Sequence, residues 1–244
     1  MKLPPSSPLE NQLILVTGGT RGIGQAICER LQTQGARVIA TSRRATGFPA
    51  RPPQSGAVAE VPLDVNSEAS VKALFQWLDE QLLKDPSISL YGLVNNAGVG
   101  TFKPLDQLTL EEFESNLRTN VTGSFLCARE SIQRMKKTGG GRIIQIGSIS
   151  DHLLLPDNGA YAASKFAARA LVGIINEENK AHRIHASLVS PGATYTEIWQ
   201  GREGFDRSDM LDVSEIARTV EDILARPLGV RIDEVRILPT KGVL

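Results

Sequence analysis

The stretch LILVTGGTRGIG, residues 13–24, carries the first strong signal of the fold. It begins as an apolar run typical of a buried strand and ends in a cluster of glycines that includes Gly18, Gly22 and Gly24. The overlapping residues 22–35 have the apolar spacing of an amphipathic helix that Gly35 ends. Glycines allow close approach of the backbone, and a helix N-terminus offers unpaired N–H groups, so this stretch predicts a pyrophosphate site.

Strand-like apolar runs alternate with helical patterns along the rest of the chain. This alternation predicts βαβ units and an α/β fold, namely a single-domain Rossmann-type doubly wound parallel sheet of about seven strands with helices on both faces. The predicted strands span residues 13–18, 36–42, 57–65, 90–98, 142–148, 184–192 and 230–238. The predicted helices span residues 22–35, 67–83 and 109–135, a segment around Tyr161, and a short helix capped by Ser214.

Proline-rich segments interrupt this pattern at two places. Residues 1–12 contain three prolines and no apolar core, so we expect a loose leader and no signal peptide. No linker or composition shift divides the remainder, and residues 13–244 are predicted to form one dinucleotide-binding and catalytic domain. Residues 43–56 also contain three prolines and lack a helical period, which predicts an irregular connection in place of a crossover helix.

Composition narrows the class of protein. Of 244 residues, 41% are hydrophobic and 22% are charged, and 27 basic residues balance 27 acidic ones, which argues against nucleic acid or a membrane surface as the main partner. No apolar run reaches the ~18 residues of a membrane span. The two cysteines, Cys28 and Cys127, lack metal or disulfide spacing and are predicted to be reduced core thiols, so we expect a cytoplasmic protein with no bound metal.

The end of the second predicted strand bears on the nucleotide that the glycine loop would hold. Sites that prefer NAD place an acidic residue about twenty positions beyond the glycine loop, where it binds the ribose 2′-hydroxyl. This chain has TSRRA at 41–45 instead, and Ser42, Arg43 and Arg44 match a 2′-phosphate. Arg21 in the glycine loop adds positive charge, so the sequence predicts NADP(H) as the cofactor.

Several short motifs occur in a characteristic order. They are T-G-x-x-x-G-x-G at 17–24, LDV at 63–65, NNAG at 95–98, Y-x-x-x-K at 161–165 and PGATYT at 191–196. Asn120 lies in the long predicted helix, and Ser148 precedes Tyr161 by thirteen residues. Together these motifs span most of the chain, which resembles the short-chain dehydrogenase/reductase family.

The residue types of the predicted catalytic group suit hydride-transfer chemistry on carbonyls. A free tyrosine has a pKa near ~10, and a lysine ammonium close by favours the phenolate. Tyr161 and Lys165 lie one helical turn apart, so Tyr161 is predicted to act as general acid or base. Ser148 is predicted to hydrogen-bond the substrate oxygen, and the resemblance implies that Asn120 holds a water linking Lys165 to solvent.

The resemblance completes the predicted cofactor site. The residues predicted to bind NADP(H) are Thr17, Gly18, Thr20, Arg21, Gly22, Ile23, Gly24, Ser42, Arg43, Arg44, Asp64, Val65, Asn96, Ala97, Gly98, Tyr161, Lys165, Pro191, Gly192, Thr194 and Thr196. The substrate is predicted to contact Ser148 and loop residues His152, Tyr195 and Trp199. The resemblance also implies a homodimer or homotetramer that packs through the long helix and the Tyr161 helix.

Three functions stay open from the sequence. The tail, residues 225–240, resembles that of reductases acting on small free hydroxy acids, aldehydes and ketones, which favours a small soluble carbonyl or alcohol substrate. The first two-thirds resembles 3-oxoacyl-carrier-protein reductases, and RMKK at 134–137 offers a basic patch for an acidic carrier. A non-catalytic NADP-binding sensor or scaffold on the same fold is the third possibility.

Overall fold

Within residues 7–196 and 206–242, which the computed structural model describes, seven strands form one parallel sheet in the order β3-β2-β1-β4-β5-β6-β7. The strands are β1 (Leu13–Val16), β2 (Arg37–Ser42), β3 (Ala57–Pro62), β4 (Leu90–Asn95), β5 (Gly141–Ile146), β6 (Ile184–Pro191) and β7 (Glu234–Ile237). This topology confirms the predicted doubly wound α/β sheet.

The helices cover both faces of the sheet. They are α1 (Gly22–Thr33), α2 (Glu68–Lys84), α3 (Leu110–Leu117), α4 (Ser124–Thr138), α5 (Gly159–Asn179) and α6 (Val213–Leu224). The single helix predicted over 109–135 is wrong in one respect, because a six-residue π-helical turn, Arg118–Gly123, separates α3 from α4. Such turns are rare and frequently mark functional sites. Among the described residues, none of these helices combines the length and apolar composition that a membrane span needs.

The strand order reverses beside β1. The chain adds β2 and β3 on one side of β1 and then returns to the other side with β4. Val16, the last residue of β1, pairs with Ala40 of β2 and with Val94 of β4. The carboxyl ends of β1 and β4 therefore border a crevice at the switch point, where open α/β sheets bind their ligands.

Strand β1 shows why buried parallel strands read as continuous apolar runs. Leu13 and Leu15 belong to the core beneath α2 and α4, whereas Ile14 and Val16 belong to the core beneath α1 and α6. All four side chains are completely buried, because alternate residues of one strand point to opposite faces of a sheet that is covered on both sides.

Residues 7–12 differ from the loose leader that the prolines predict. Leu9 is completely buried within the core beneath α1 and α6. The backbone N–H of Asn11 donates to the carbonyl oxygen of Gly35 at 2.9 Å, and that of Arg37 donates to Gln12 at 2.9 Å. Burial of Leu9 and the backbone hydrogen bonds to Gly35 and Arg37 therefore hold this segment on the core.

The connection between β2 and β3 contains no helix, as its prolines predict. It is anchored on α2, where the ring of Phe48 stacks on Trp77 with centroids 5.4 Å apart, and the indole N–H of Trp77 donates to the carbonyl of Pro49 at 3.0 Å.

The cap of α6 is also different from the prediction. Asp212, not Ser214, caps the helix, and its carboxylate accepts the backbone N–H of Ser214 at 2.9 Å.

The two cysteines are buried free thiols, as predicted. Cys28 lies in α1 and Cys127 in α4. Burial raises the pKa of both thiols to about 12, because a thiolate loses its hydration in an apolar core. Both cysteines therefore behave as small core side chains with little thiolate character near neutral pH.

Candidate active site

The glycine loop joins the carboxyl end of β1 to the start of α1. Gly18 and Gly22 have positive φ angles of 62° and 51°, which other residues rarely adopt. A Cβ atom on Gly24 would lie 2.2 Å from the carbonyl oxygen of Gly18, so only glycine lets the first turn of α1 pack this closely on the loop. The side chain of Arg21 does not cap the helix. The first turn of α1 thus keeps its dipole and N–H groups for an anion.

Gly19 is a glycine of this loop that was not among the predicted site residues. A Cβ atom at Gly19 would lie 2.9 Å from the sulfur of Cys28 and 3.0 Å from the Cα atom of Ala40. The loop therefore lies directly on β2 and α1. In the sequence, Gly19 stands out only as a glycine directly after Gly18. The need for glycine at this position comes from Cys28 and Ala40, which lie further along the chain.

Thr17 and Asn96 join the loops that follow β1 and β4. The amide nitrogen of Asn96 donates to the carbonyl oxygens of Thr17 and Gly18, each at 3.0 Å. The hydroxyl of Thr17 accepts the backbone N–H groups of Asn96 and Ala97, each at 3.0 Å. Both side chains are thus used to shape the predicted cofactor site.

The residues predicted to bind a 2′-phosphate lie at the end of β2. Arg43 and Arg44 are exposed, and Ser42 lies beside them with its hydroxyl accepting the backbone N–H of Arg44 at 3.2 Å. The same hydroxyl donates to the carboxylate of Glu60 on β3 at 2.8 Å. Glu60 was not predicted to belong to this site, because only the β2–β3 pairing brings it next to Ser42.

The other predicted cofactor residues lie around the same crevice. Asp64 is half-buried after β3 and accepts the backbone N–H of Asn66 at 3.0 Å, while Val65 is buried. Thr194 is buried after β6, and its hydroxyl donates to the carbonyl of Gly192 at 3.0 Å. The side chain of Thr196 faces the start of α1, 3.7 Å from the position of a Cβ atom on Gly22. Of the remaining members, Thr20 lies in the glycine loop, Ile23 in the first turn of α1, Gly98 in the loop after β4 and Pro191 at the end of β6.

Helix α5 presents Tyr161 and Lys165 to the carboxyl end of β5. Lys165 is buried, with 6% of its surface exposed, and its ammonium donates to the carbonyl of Ile146 at 2.9 Å. The Lys165 nitrogen lies 5.4 Å from the centroid of the Tyr161 ring. A buried ammonium needs a hydrogen-bond acceptor such as the carbonyl of Ile146, because an isolated ammonium is costly to remove from water. The structure therefore places the cation beside Tyr161, as the Y-x-x-x-K spacing predicts.

Asn120 lies in the π-helical turn and contacts both the loop after β4 and α5. Its amide nitrogen donates to the carbonyl of Val99 and to the hydroxyl of Ser164, each at 2.8 Å, and its oxygen accepts the N–H of Val99 at 2.9 Å. Ser164 in turn donates to the carbonyl of Tyr161 at 2.7 Å. Asn120 thus holds the Tyr161 helix against the loop after β4, and its predicted bond to water stays a prediction.

Ser148 follows β5 in an extended conformation. Its hydroxyl accepts the backbone N–H of Ser150 at 3.2 Å, and its own N–H donates to the carboxylate of Asp151 at 2.9 Å. Ser148 is half-buried, whereas Asp151 is completely buried. Sequence reasoning missed Asp151, because a lone aspartate in a loop carries no signal of burial.

The residues predicted to contact the substrate differ in their surroundings. The Nδ1 atom of His152 contacts the carboxylate of Asp151, and Nε2 lies 2.5 Å from Glu234 of β7. Tyr195 is exposed, and the Arg207 guanidinium lies 4.2 Å from its ring centroid. Trp199 lies outside the described residues.

Phe102 is a further residue that the sequence did not indicate. Its ring centroid lies 5.1 Å from that of Tyr161, at an interplanar angle of 48°. Phe102, in the loop after β4, therefore packs its ring against the ring of Tyr161.

Known proteins share these features with the chain. The family model for short chain dehydrogenases matches residues 12–205. The NADPH-dependent aldehyde reductase-like protein, chloroplastic, of Arabidopsis thaliana is 35% identical over 211 residues, covering 80% of this chain and 77% of that protein. The NADP-dependent (R)-specific alcohol dehydrogenase of Lentilactobacillus kefiri is 34% identical over 202 residues, covering 80% of this chain and 78% of the relative.

Solved structures agree with this relationship. The alcohol dehydrogenase from the archaeon Thermococcus sibiricus complexed with 5-hydroxy-NADP has a TM-score of 0.81 at 27% identity, covering 95% of this chain and 97% of that one. The family model matches most of the sequence, and the structure has a glycine loop at the switch point and a Tyr–Lys pair on α5. The chain therefore belongs to the short-chain dehydrogenase/reductase family.

Proposed function

We propose that this chain reduces a ketone or aldehyde to an alcohol, or runs the reverse reaction, with NADP(H) and with Tyr161 as general acid and base. The observation that carries the proposal is the buried Lys165 ammonium, held 2.9 Å from the end of β5 and 5.4 Å from the Tyr161 ring centroid. Relatives named as an NADPH-dependent aldehyde reductase-like protein and an NADP-dependent alcohol dehydrogenase support the same reaction class.

The residues at the switch point fit the cofactor. A Cβ atom on Gly24 would fill the cradle between the loop and α1, and the uncapped first turn of α1 suits a pyrophosphate. The exposed guanidinium groups of Arg43 and Arg44 suit a 2′-phosphate. Bound NADPH supplies the hydride for carbonyl reduction.

Tyr161 supplies the proton in the proposed reduction. The developing alkoxide takes the phenolic proton, and the Lys165 ammonium beside the ring stabilises the resulting phenolate. In the oxidation direction the phenolate removes the hydroxyl proton. Helix α5 supplies both groups, so their relative position is set by rigid helical geometry.

Ser148 and Asn120 support this step in different ways. The hydroxyl of Ser148 hydrogen-bonds the substrate oxygen and holds the carbonyl for attack. Asn120 donates to the hydroxyl of Ser164, which in turn donates to the backbone carbonyl of Tyr161. Asn120 thereby fixes the position of Tyr161 on α5. The ring of Phe102 packs on the ring of Tyr161, with centroids 5.1 Å apart, and supports its orientation.

A substrate panel tests the proposal. Purified protein is mixed with NADPH and, in turn, small aldehydes, diketones, keto acids and an acetoacetyl thioester, and loss of NADPH absorbance is followed. We expect turnover with small free carbonyls. Preference for the thioester would favour the carrier-protein reductase, and NADPH binding without turnover of any compound would favour the sensor or scaffold.

We further propose a homodimer or homotetramer. Phe125 of α4 and Phe166 and Ile174 of α5 leave 38–55% of their surface exposed, which supports packing against another copy. The alanines of α5 divide between two faces, because Ala162 is buried and Ala163 exposed. Light scattering after size exclusion gives the oligomer mass.

A cytoplasmic location is a separate proposal. The free thiols of Cys28 and Cys127 support a reducing compartment. Fractionation of the source cells, with the chain followed by antibody, tests this location.

A further inference from the structure

A buried carboxylate lies directly behind Ser148. Asp151 has no exposed surface, and its Oδ2 atom accepts the backbone N–H of Ser148 at 2.9 Å. The hydroxyl of Ser190 on β6 lies 2.9 Å from Oδ2 and 3.0 Å from Oδ1. A carboxylate is costly to bury unless its oxygens accept hydrogen bonds, and here these bonds come from the substrate-binding serine and from the neighbouring strand.

Gly147 leaves room for this carboxylate because it has no side chain. A Cβ atom on Gly147 would lie 2.1 Å from Oδ2 of Asp151 and 2.9 Å from the side chain of Leu188. The carboxylate therefore occupies the space that any side chain at the preceding position would take. Asp151, in the turn after β5, is therefore packed directly against the backbone of Gly147.

A line of polar contacts reaches the carboxylate from the other side. His152 contacts Asp151 through Nδ1 and Glu234 of β7 through Nε2. The guanidinium of Arg169 lies 3.3 Å from Glu234 and donates to the backbone carbonyl of Asp151 at 3.3 Å. Arg169 follows Lys165 on α5 by four residues and thus lies one turn further along the same helix. These contacts connect the loop of Ser148 with the helix of Tyr161.

We infer that Asp151 is a positioning residue that acts through Ser148, with its carboxylate held by Ser190 and His152. The inference rests on the proposed carbonyl reduction. Because the carboxylate takes the N–H of Ser148, it holds the extended backbone of this residue and directs its hydroxyl. His152 thereby acquires a supporting role in place of the predicted substrate contact, since both ring nitrogens lie against carboxylates.

A double-mutant cycle tests the inference. The variants are Asp151→Ala, Ser148→Ala and the double variant, each assayed for kcat and KM with the best carbonyl substrate and for NADPH binding by fluorescence. We expect Asp151→Ala to lower kcat by ~10-fold with NADPH binding unchanged, because a misplaced hydroxyl stabilises the transition state poorly. In the Ser148→Ala background the same change should lower kcat less than ~2-fold, since the residue it positions is absent.

The conservative variant Asp151→Asn should recover most of the lost kcat, because an amide oxygen still accepts the Ser148 N–H. Equal losses of kcat in both backgrounds, or no loss in the first, would overturn the inference. An active wild type with an unaffected Asp151→Ala variant refutes this inference alone. A wild type that turns over no carbonyl refutes the proposed function itself.

Two serines of β6 provide a second cycle if Asp151→Ala does not fold. Ser190→Ala removes one donor to the carboxylate and should lower kcat ~3-fold, again only when Ser148 is present. Ser187→Ala is the matched control, since this buried hydroxyl donates to the carbonyl of Ile232 instead. It should lower the melting temperature without changing kcat, and equal kcat losses in the two serine variants would contradict the inference.

Discussion

The half of the sheet built from β1 to β3 and the half built from β4 to β7 present different groups to the crevice between them. In the first half, the glycine loop and the start of α1 offer backbone N–H groups, and the charged side chains Arg43 and Arg44 are exposed. In the second half, Asn120, Lys165 and Asp151 are buried, and each is hydrogen-bonded to a segment distant in sequence.

Because of this difference, we expect substitutions in the two halves to have different effects. Exposed charges are screened and cost little to lose, so substitutions in the first half should alter cofactor affinity and leave the fold and kcat intact. Buried polar groups leave their partners unpaired when removed, so substitution of the buried site residues in the second half should lower kcat and stability together. The following variants test this division from the largest expected effect to the smallest.

The largest effect is expected from Tyr161→Phe. Loss of the acid–base hydroxyl should lower kcat by ~10³-fold, whereas NADPH binding, measured by fluorescence titration, should change less than ~2-fold. The control is Tyr91→Phe, which removes a hydroxyl that donates to the carbonyl of Leu224 at 2.8 Å. It should keep full activity, and equal losses of turnover and NADPH binding in Tyr161→Phe would mean that Tyr161 is structural.

Asn120→Ala should lower both kcat and stability. The variant leaves the N–H and C=O of Val99 unpaired and releases Ser164, which we expect to cost about 2 kcal/mol in the free energy of unfolding and ~10²-fold in kcat. Urea denaturation and steady-state kinetics measure the two quantities.

Asn116→Ala is the matched control for Asn120→Ala. Asn116 is also buried, and its amide bonds the hydroxyl of Thr101 at 3.0 Å and the carbonyl of Glu112 at 2.9 Å. It should lose similar stability and keep kcat within ~3-fold. A parallel loss of kcat in both variants would remove the distinction between Asn120 and other buried amides.

Arg43→Ala and Arg44→Ala test the nucleotide-binding half. Each should raise KM for NADPH by ~10-fold and leave kcat unchanged, since a charge-assisted bond to a phosphate contributes ~1.5 kcal/mol. KM for NADH should not change, because NADH lacks the 2′-phosphate. Arg51→Ala, an exposed arginine of the same irregular segment, is the control. An unchanged KM for NADPH in both test variants would exclude these arginines from the 2′-phosphate site.

The smallest effect is expected from Glu60→Gln. The Glu60 carboxylate lies 2.8 Å from the Ser42 hydroxyl and repels a phosphate bound there. Its neutralisation should improve the preference for NADPH over NADH by ~3-fold at low salt, and the gain should shrink at high salt. Glu178→Gln, on an exposed face of α5, should change neither cofactor. A shift toward NADH would contradict this position for the phosphate.

Local patterns in the sequence predicted the parts of the site that one element contains. The glycine loop with the start of α1 and the Y-x-x-x-K pair depend on spacings within a single turn or helix. The prolines of residues 43–56 likewise predicted a connection without a helix, because proline cannot donate within one. By contrast, the π-helical turn at Asn120 was not predicted, since its side-chain partners Val99 and Ser164 come from other segments.

The sequence by itself therefore determined the order of strands and helices, the glycine loop and the tyrosine–lysine pair, because periodicity and glycine placement act over a few residues. Only the tertiary structure brought Glu60, Phe102 and Asp151 next to the predicted site residues. Asp151 meets Ser190 across 39 residues of chain, and Glu60 reaches Ser42 only through the pairing of β2 with β3. Burial and charge pairing of this kind arise when distant segments pack, and no local spacing records them.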